Sequence, residues 1–262
     1  MKRLLVGGLE RIFQICPAFR YEPVSNTHQP EFTLLEWYRA YSDYEQIMRD
    51  TEELFESIAM KLFGRPVIPF QGNEISVKTP WPRVKIRDLF LEKSGVDLVK
   101  SPAVADLRRE CSRLGLQWAE PDTWDDLYFR IWLNLIEPKL PSDRAVFVTR
   151  YPASQSALAV IDADPDGSRW ARRFELYAGG LELGNAFEEL TDPVEQRARF
   201  IKDMDLREQT YGAEFPRSPL DEDFLFALEE GMPPSGGIAV GVDRMVMLFA
   251  NETDIAFTQW LT

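Results

Sequence analysis

Phe19-Arg20-Tyr21-Glu22, a polar loop from Pro23 to Pro30 that carries His28 and Gln29, and Glu31-Phe32-Thr33-Leu34-Leu35-Glu36-Trp37-Tyr38 decide how this 262-residue chain is read. Residues 12 to 22 and 31 to 38 alternate as two strands, the second setting Phe32, Leu34, Glu36 and Tyr38 against Glu31, Thr33, Leu35 and Trp37. Alternation puts Arg20 and Glu22 on one face, about 7 Å apart along the strand. An arginine there can grip a phosphate through two donors, and a carboxylate can accept from an exocyclic amine. The plainer reading of the same pair is a salt bridge. Glu36 and Tyr38 share a face in the same way, and with Glu189 they make a set of carboxylates and a hydroxyl suited to an ammonium group.

A second arginine follows a glycine-bearing strand near the end of the chain. Ser235-Gly236-Gly237-Ile238-Ala239-Val240-Gly241 is short and apolar, and Asp243-Arg244-Met245-Val246-Met247-Leu248-Phe249 has a helical period. Glycines at a strand-to-helix junction let a ligand approach the backbone closely. No Lys-Ser or Lys-Thr follows, so this is not a P-loop, and no Rossmann fingerprint is present. His28 is the only histidine, which disfavours a Ser-His-Asp hydrolase or a multi-histidine metal site and suggests a structural residue in a loop.

Between these anchors, Arg173 to Tyr177, Ala178-Gly179-Gly180 and Leu181 to Asn185 read as a β-hairpin. With Ala178-Gly179 as the two-residue loop, Glu175 falls directly opposite Glu182. With Gly179-Gly180 as the loop the pairing slips, and the two carboxylates still share one face of the ribbon. Like charges so placed destabilise a hairpin unless a cation compensates, and with oxygen ligands and a phosphate substrate that cation is Mg²⁺. Two solvated glutamates on an exposed face are the simpler alternative.

Other elements follow from caps and periods. Ser42 with Glu45 makes a capping box for a helix running to Gly64, and Asp192-Pro193-Val194-Glu195 opens another that extends to about Gln209. From about 66 to 150 the pattern is a helical subregion, with helices near 86 to 94, 103 to 114 and 122 to 137 and then a strand at Val146-Phe147-Val148.

Hydrophobic residues at 45%, with 17 Phe and 7 Trp, suit a globular protein with an aromatic core. No run reaches the roughly 18 apolar residues that cross a bilayer, and the start lacks a signal peptide, so the expectation is a cytoplasmic protein with no membrane contact. Cys16 and Cys111 are too few and too isolated for a disulfide framework or a zinc site. A net charge of −13 tilts away from a chain whose main task is gripping nucleic acid and leaves room for a basic protein partner.

The motifs carry a resemblance. Arg20 to Tyr38 resembles motif 2 of lysine-type class II aminoacyl-tRNA synthetases, Glu182-Leu183-Gly184-Asn185-Ala186-Phe187-Glu188-Glu189-Leu190-Thr191-Asp192 resembles the block before motif 3, and Gly237 to Arg244 resembles motif 3 itself. Trp37, the run Tyr151 to Ala159, and Ala239 where lysyl-tRNA synthetases have glycine are similar to the short branch of elongation factor P lysine ligases, which have no anticodon-binding domain. The resemblance implies an α+β fold, an antiparallel sheet flanked by helices, forming a single catalytic domain over residues 1–262 with 66–150 as a helical insertion.

It implies that lysine or β-lysine is activated with ATP and Mg²⁺ and passed to elongation factor P, or less readily to tRNA. A non-catalytic binding module that keeps the ATP pocket is the rival of a different class. In the family's pattern Arg20 and Arg244 are the catalytic arginines on the ATP phosphates, Glu22 reads the adenine amino group, and Gln29, Glu182, Leu183 and Gly241 adjoin the nucleotide. Glu175 and Glu182 hold Mg²⁺, and Glu36, Tyr38, Asn185, Phe187, Glu189 and Ala239 line the lysine pocket. The family's motif 1 segment, which makes its homodimer, and a Thr-Ser-Pro-Glu stretch both precede the point matched by Met1, so this sequence holds neither.

Overall fold

The computed structural model describes residues 1–156, 158–212 and 217–259. A short helix α1 (Lys2–Val6) leads into β1 (Arg11–Phe19) and β2 (Glu31–Ala40), followed by α2 (Tyr44–Phe63). A small hairpin, β3 (Val67–Phe70) with β4 (Asn73–Ser76), precedes β5 (Arg83–Lys85), α3 (Ile86–Ser94), α4 (Val104–Arg113) and α5 (Trp124–Ile131). The last continues through a π-helical turn, Trp132–Ile136, into a 3₁₀ turn, Glu137–Lys139. Then come β6 (Val146–Pro152), β7 (Ile161–Ala163), β8 (Arg169–Ala178), β9 (Leu181–Glu188), α6 (Pro193–Tyr211), α7 (Glu222–Gly231), β10 (Ser235–Gly241) and α8 (Val242–Ala250).

One eight-stranded sheet runs β1-β2-β10-β9-β8-β6-β5, with β7 paired to β8. Every pairing is antiparallel except β5 with β6. The class is therefore α+β, as expected, and β5 and β6 draw the segment 66–150 into the main sheet while its helices pack on one side. β1 is an edge strand, which is why Pro17 is tolerated in it, since no neighbour needs its missing N–H. It ends at Phe19, so Arg20 to Glu22 lie in the following loop and not on the strand as the alternation predicts.

The two sheet faces carry different cores. On one face α2, α8 and the β3–β4 hairpin cover Phe147, Phe174, Leu176, Leu183 and Val240 with Ile47, Met48, Phe55 and Leu248, all 1% exposed or less. Burying each such side chain is worth about 2 kcal/mol. The cap of α2 is Asp43, whose carboxylate accepts from the Gln46 backbone N–H at 2.8 Å, one residue beyond the Ser42 box predicted from sequence. Its other end closes at Gly64, in the left-handed region at φ 70° as expected. On the opposite face, α3, α4 and α5 pack Phe90, Tyr128 and Trp132 against Tyr151, Trp170 and Tyr177 near β6 and β8. At the other end of that face, Leu5 of α1 packs with Leu228 and Met232, and with Ile12 and Tyr38. Between these two clusters the central strands lie open, and the candidate site sits there.

Among the described residues, no helix is long and apolar enough to cross a membrane. Cys16 and Cys111 are free thiols, as expected. Ala157, within the Tyr151 to Ala159 run, lies outside the described residues.

Candidate active site

The register brings distant residues into two adjacent rows across the sheet. Gln14 is paired with Glu36, Glu36 with Ala239, Ala239 with Asn185, and Asn185 with Glu175. In the next row Ile12 is paired with Tyr38, Tyr38 with Gly237, Gly237 with Phe187, and Phe187 with Arg173. Directly opposed residues of antiparallel strands project to the same face, so the six residues expected to line an ammonium pocket are drawn together, Glu189 following at the end of β9. Glu36 accepts a hydrogen bond from Gln14 Nε2 at 2.6 Å, which orients its carboxylate along the floor.

Tyr38 and Glu189 close the inner end of this floor. A Cβ built on Gly237 would fall 2.3 Å from the Tyr38 ring and 2.8 Å from Glu189 Oε1, so only glycine lets both reach over the strand. Glu189 is 2% exposed and ion-paired through Oε2 with Lys2 at 2.5 Å. Burial raises its carboxyl above the usual range, and Lys2 opposes that shift. Burial and the neighbouring Glu189 and Glu36 charges likewise push the Tyr38 hydroxyl far up, so it is a permanent neutral hydrogen-bonding group.

The β8–β9 hairpin turns through Gly179-Gly180, both at positive φ (60° and 77°), as a two-residue turn with paired left-handed residues requires. Tyr177 therefore opposes Glu182, and an irregularity between Leu176 and Tyr177 sets Glu175 opposite Asn185. The register in which Glu175 directly faces Glu182 is thus overturned, because the glycine pair and not Ala178 takes the turn. The common face is kept: Tyr177, opposite Glu182, donates to Glu175 Oε2 at 2.6 Å.

Glu175 is heavily engaged. Tyr151 also donates to Oε2 at 2.6 Å, and Arg173 Nη2 donates to Oε1 at 2.5 Å while its Nε donates to Asn185 Oδ1 at 3.0 Å. Arg173 itself stacks over the Tyr151 ring, 4.4 Å from its centroid. Among the described residues the Glu182 carboxylate accepts no hydrogen bond and has no ion-pair partner within 4 Å. Desolvation first, and the Glu175 charge second, push it up to about 7. A carboxylate without a donor, destabilised by a like charge, is what a hard cation relieves. Glu175 Oε1 keeps one lone pair beyond Arg173, so the pair fits a divalent ion that takes its remaining oxygens from a phosphate or water. Among the described residues no cluster of three or more acidic, His or Cys side chains could hold a metal by itself. Glu137, half-buried at the end of the α5 extension, adds a further carboxyl raised by burial and then by Glu175.

Two arginines flank the hairpin. Arg244, in the first turn of α8, donates from Nε to Thr27 O at 3.0 Å and from Nη1 to Glu182 O at 2.8 Å, and its Nη2 lies 2.8 Å from His28 Nε2. Three of its five N–H groups are thus used to tie the Pro23 to Pro30 loop to the hairpin, and two remain. Because an arginine only donates, His28 accepts at Nε2 and carries its proton on Nδ1, beside Ser25 Oγ at 2.9 Å. Burial and the Arg244 charge both lower the His28 pKa, which keeps it neutral. Arg20 is 66% exposed and touches Glu22 Oε1 only at 3.4 Å, so its guanidinium remains available.

Gln29 is half-buried beside His28, and Gly241 caps α8 with nothing nearer than 4.0 Å to an added Cβ. The Leu183 side chain is in the α2-side core, so any role in binding nucleotide falls to its backbone. Asp243 fastens the two motifs by accepting from the Thr33 N–H at 2.7 Å. Sequence reading missed Lys2, Tyr151, Arg173, Glu137 and the partnership of His28 with Arg244. Only His28, polar and flanked by Thr27 and Gln29 in a candidate binding loop, offered a local signal.

Residues 1–260 match the family described as tRNA synthetases class II (D, K and N). A lysine–tRNA ligase of Pelotomaculum thermopropionicum is 40% identical over 258 residues, covering 97% of this chain and 49% of that protein. One from Dehalococcoides mccartyi is 39% identical over 255 residues (97% and 50%), and one from Anaeromyxobacter dehalogenans is 40% identical over 267 residues (97% and 51%). The chain spans about half the length of the curated relatives it matches.

Proposed function

The chain belongs to the class II tRNA synthetases of the D, K and N group, and from that premise we propose that it activates lysine, or β-lysine, with ATP to form an aminoacyl-adenylate. The observation that carries this reading is the buried Glu189 carboxylate beside Tyr38, on a floor that also holds Glu36. A side-chain ammonium is the natural complement of that set.

In the proposed reaction a lysine carboxylate oxygen attacks the α-phosphorus of ATP. A new P–O bond forms, the bond to the bridging oxygen breaks, and pyrophosphate leaves with its electrons. Arg20, exposed and weakly held, takes the α-phosphate, while Arg244 holds the loop and hairpin in register and offers two N–H groups to the outer phosphates. Glu22 accepts from the adenine amino group, and Gln29, the Leu183 backbone and Gly241 border the nucleotide. Asn185, Phe187 and Ala239 shape the pocket around the lysine chain. Glu175 and Glu182 would hold Mg²⁺, which supplies charge neutralisation on the phosphates. No protein nucleophile is needed, and catalysis is by placement and charge.

For the acceptor, Trp37, Ala239 and the Tyr151 to Ala159 run support transfer to a lysine of elongation factor P. The second reading is tRNA, supported by the names of relatives about 40% identical to this chain. Radiolabelled lysine or β-lysine supplied with ATP, elongation factor P and tRNA decides between them. Label on elongation factor P supports the first reading, and label on tRNA alone overturns it. A folded protein that binds ATP and labels neither, with no AMP released, indicates the non-catalytic binding module.

A further inference from the structure

At the Glu189 end of the pocket one polar contact is made by the chain itself. Lys2 Nζ lies 2.5 Å from Glu189 Oε2, and the two side chains are 17% and 2% exposed. Lys2 is not loosely placed: its ammonium lies 5.8 Å from the centroid of the Phe224 ring on α7, and Leu5, one turn along α1, is 1% exposed in a cluster with Leu228 of α7 and Met232 just after it. The other Glu189 oxygen, Oε1, lies over Gly237, 2.8 Å from where a Cβ there would stand, a position that the Tyr38 ring approaches to 2.3 Å. The charged or titratable groups facing Glu189 are Lys2 from α1 and Glu36 and Tyr38 from β2, and β10 faces it only with backbone and Gly237.

We propose that Lys2 is a positioning residue for the amino-acid pocket: it holds Glu189 by Oε2 and leaves Oε1 turned to Tyr38 for an incoming side-chain ammonium. The inference rests on the reading of this site as a lysine pocket. Two carboxylates, Glu36 and Glu189, and one fixed ammonium leave a single negative charge, the complement of one cationic side chain. A carboxyl as buried as Glu189 without that ammonium takes up a proton and stops attracting a cation. Lys2 as a plug occupying the substrate's place is the opposing account, and the two differ in sign.

Lys2→Met and Lys2→Arg in the 262-residue chain separate them. In lysine-dependent ATP–pyrophosphate exchange, Lys2→Met raises the KM for lysine about tenfold or more while the KM for ATP stays put, and Lys2→Arg restores most of the loss. An unchanged lysine KM, or a lower one as a plug predicts, overturns the proposal. A readout independent of catalysis is the carboxyl carbon-13 titration of Glu189. Its midpoint in Lys2→Met moves up by about one unit or more relative to the parent, and an unmoved midpoint also overturns the proposal. If the parent shows no exchange at all, the lysine-activation reading has failed, and the titration still decides whether Lys2 governs Glu189. Leu5→Ala, which loosens α1 and keeps the ammonium, distinguishes packing from charge: the same midpoint shift in Leu5→Ala as in Lys2→Met counts against a specific role.

Discussion

The Tyr38 ring lies across Gly237 so closely that a methyl group on residue 237 would sit 2.3 Å from its Cδ1 and Cε1 atoms. Neither the β10 backbone nor the ring has room to retreat, because Tyr38 is backed by the α1 and α7 cluster. Gly237→Ala should cost about 1–3 kcal/mol of stability by overpacking, and should abolish lysine-dependent exchange even at temperatures where the protein stays folded. Urea unfolding and exchange rates measured on the same preparation check both.

Glu182 should give the site a metal-dependent pH signature. Its folded pKa, pushed to about 7, lies above the ordinary carboxylate value, so between roughly pH 4.5 and 7 the folded state binds more protons than the unfolded one. Without metal, stability should therefore fall as pH rises through that window. Glu182→Gln removes the effect: little difference from the parent at pH 5, a higher melting temperature than the parent at pH 8 in chelator, and loss of the rise in melting temperature that Mg²⁺ produces in the parent at pH 8. Thermal melts with and without Mg²⁺ at the two pH values test this.

Glu175 is held by two tyrosine hydroxyls on one oxygen. Removing either donor takes a hydrogen bond from a charged acceptor, so Tyr151→Phe and Tyr177→Phe should each destabilise the fold by about 1.5–3 kcal/mol. The double variant should be non-additive, since the two donors share one acceptor atom. Equilibrium denaturation in a double-mutant cycle measures the coupling.

Arg244→Lys keeps the charge and loses the fork that joins Thr27 O, Glu182 O and His28 Nε2. Each lost contact of this kind is worth about 1 kcal/mol or more, so the KM for ATP should rise about tenfold or more. Amide exchange in residues 23–30 should quicken while α2 is unaffected, and mass-spectrometric hydrogen exchange resolves the two regions.

Much of this arrangement is legible in the chain. The alternation of Phe32 to Tyr38, the helix ending at Gly64 and the Asp192 cap, which accepts from Val194 and Glu195 N–H groups, all follow from local period and capping chemistry. Helix α3 lies where the pattern places it, at Ile86–Ser94. What local pattern leaves open is register. Whether Gly179-Gly180 or Ala178-Gly179 makes the turn depends on which pair can hold two positive φ angles, and the shift between Leu176 and Tyr177 has no period of its own. Contacts between residues far apart in sequence are equally hidden: Lys2 meets Glu189, and Arg244 meets His28, only because α1 and the loop fold onto the same face. The β1 boundary also fails, because Tyr21 and Glu22 continue the alternation after pairing has ended.

Lysine activation is measured most directly by lysine-dependent exchange of labelled pyrophosphate into ATP by the 262-residue chain. The expected result is Mg²⁺-dependent exchange with α-lysine or β-lysine, lost in Arg20→Ala and Glu189→Gln and not produced by aspartate or asparagine. A folded, ATP-binding protein that exchanges nothing with either lysine, or that exchanges equally with aspartate, contradicts it.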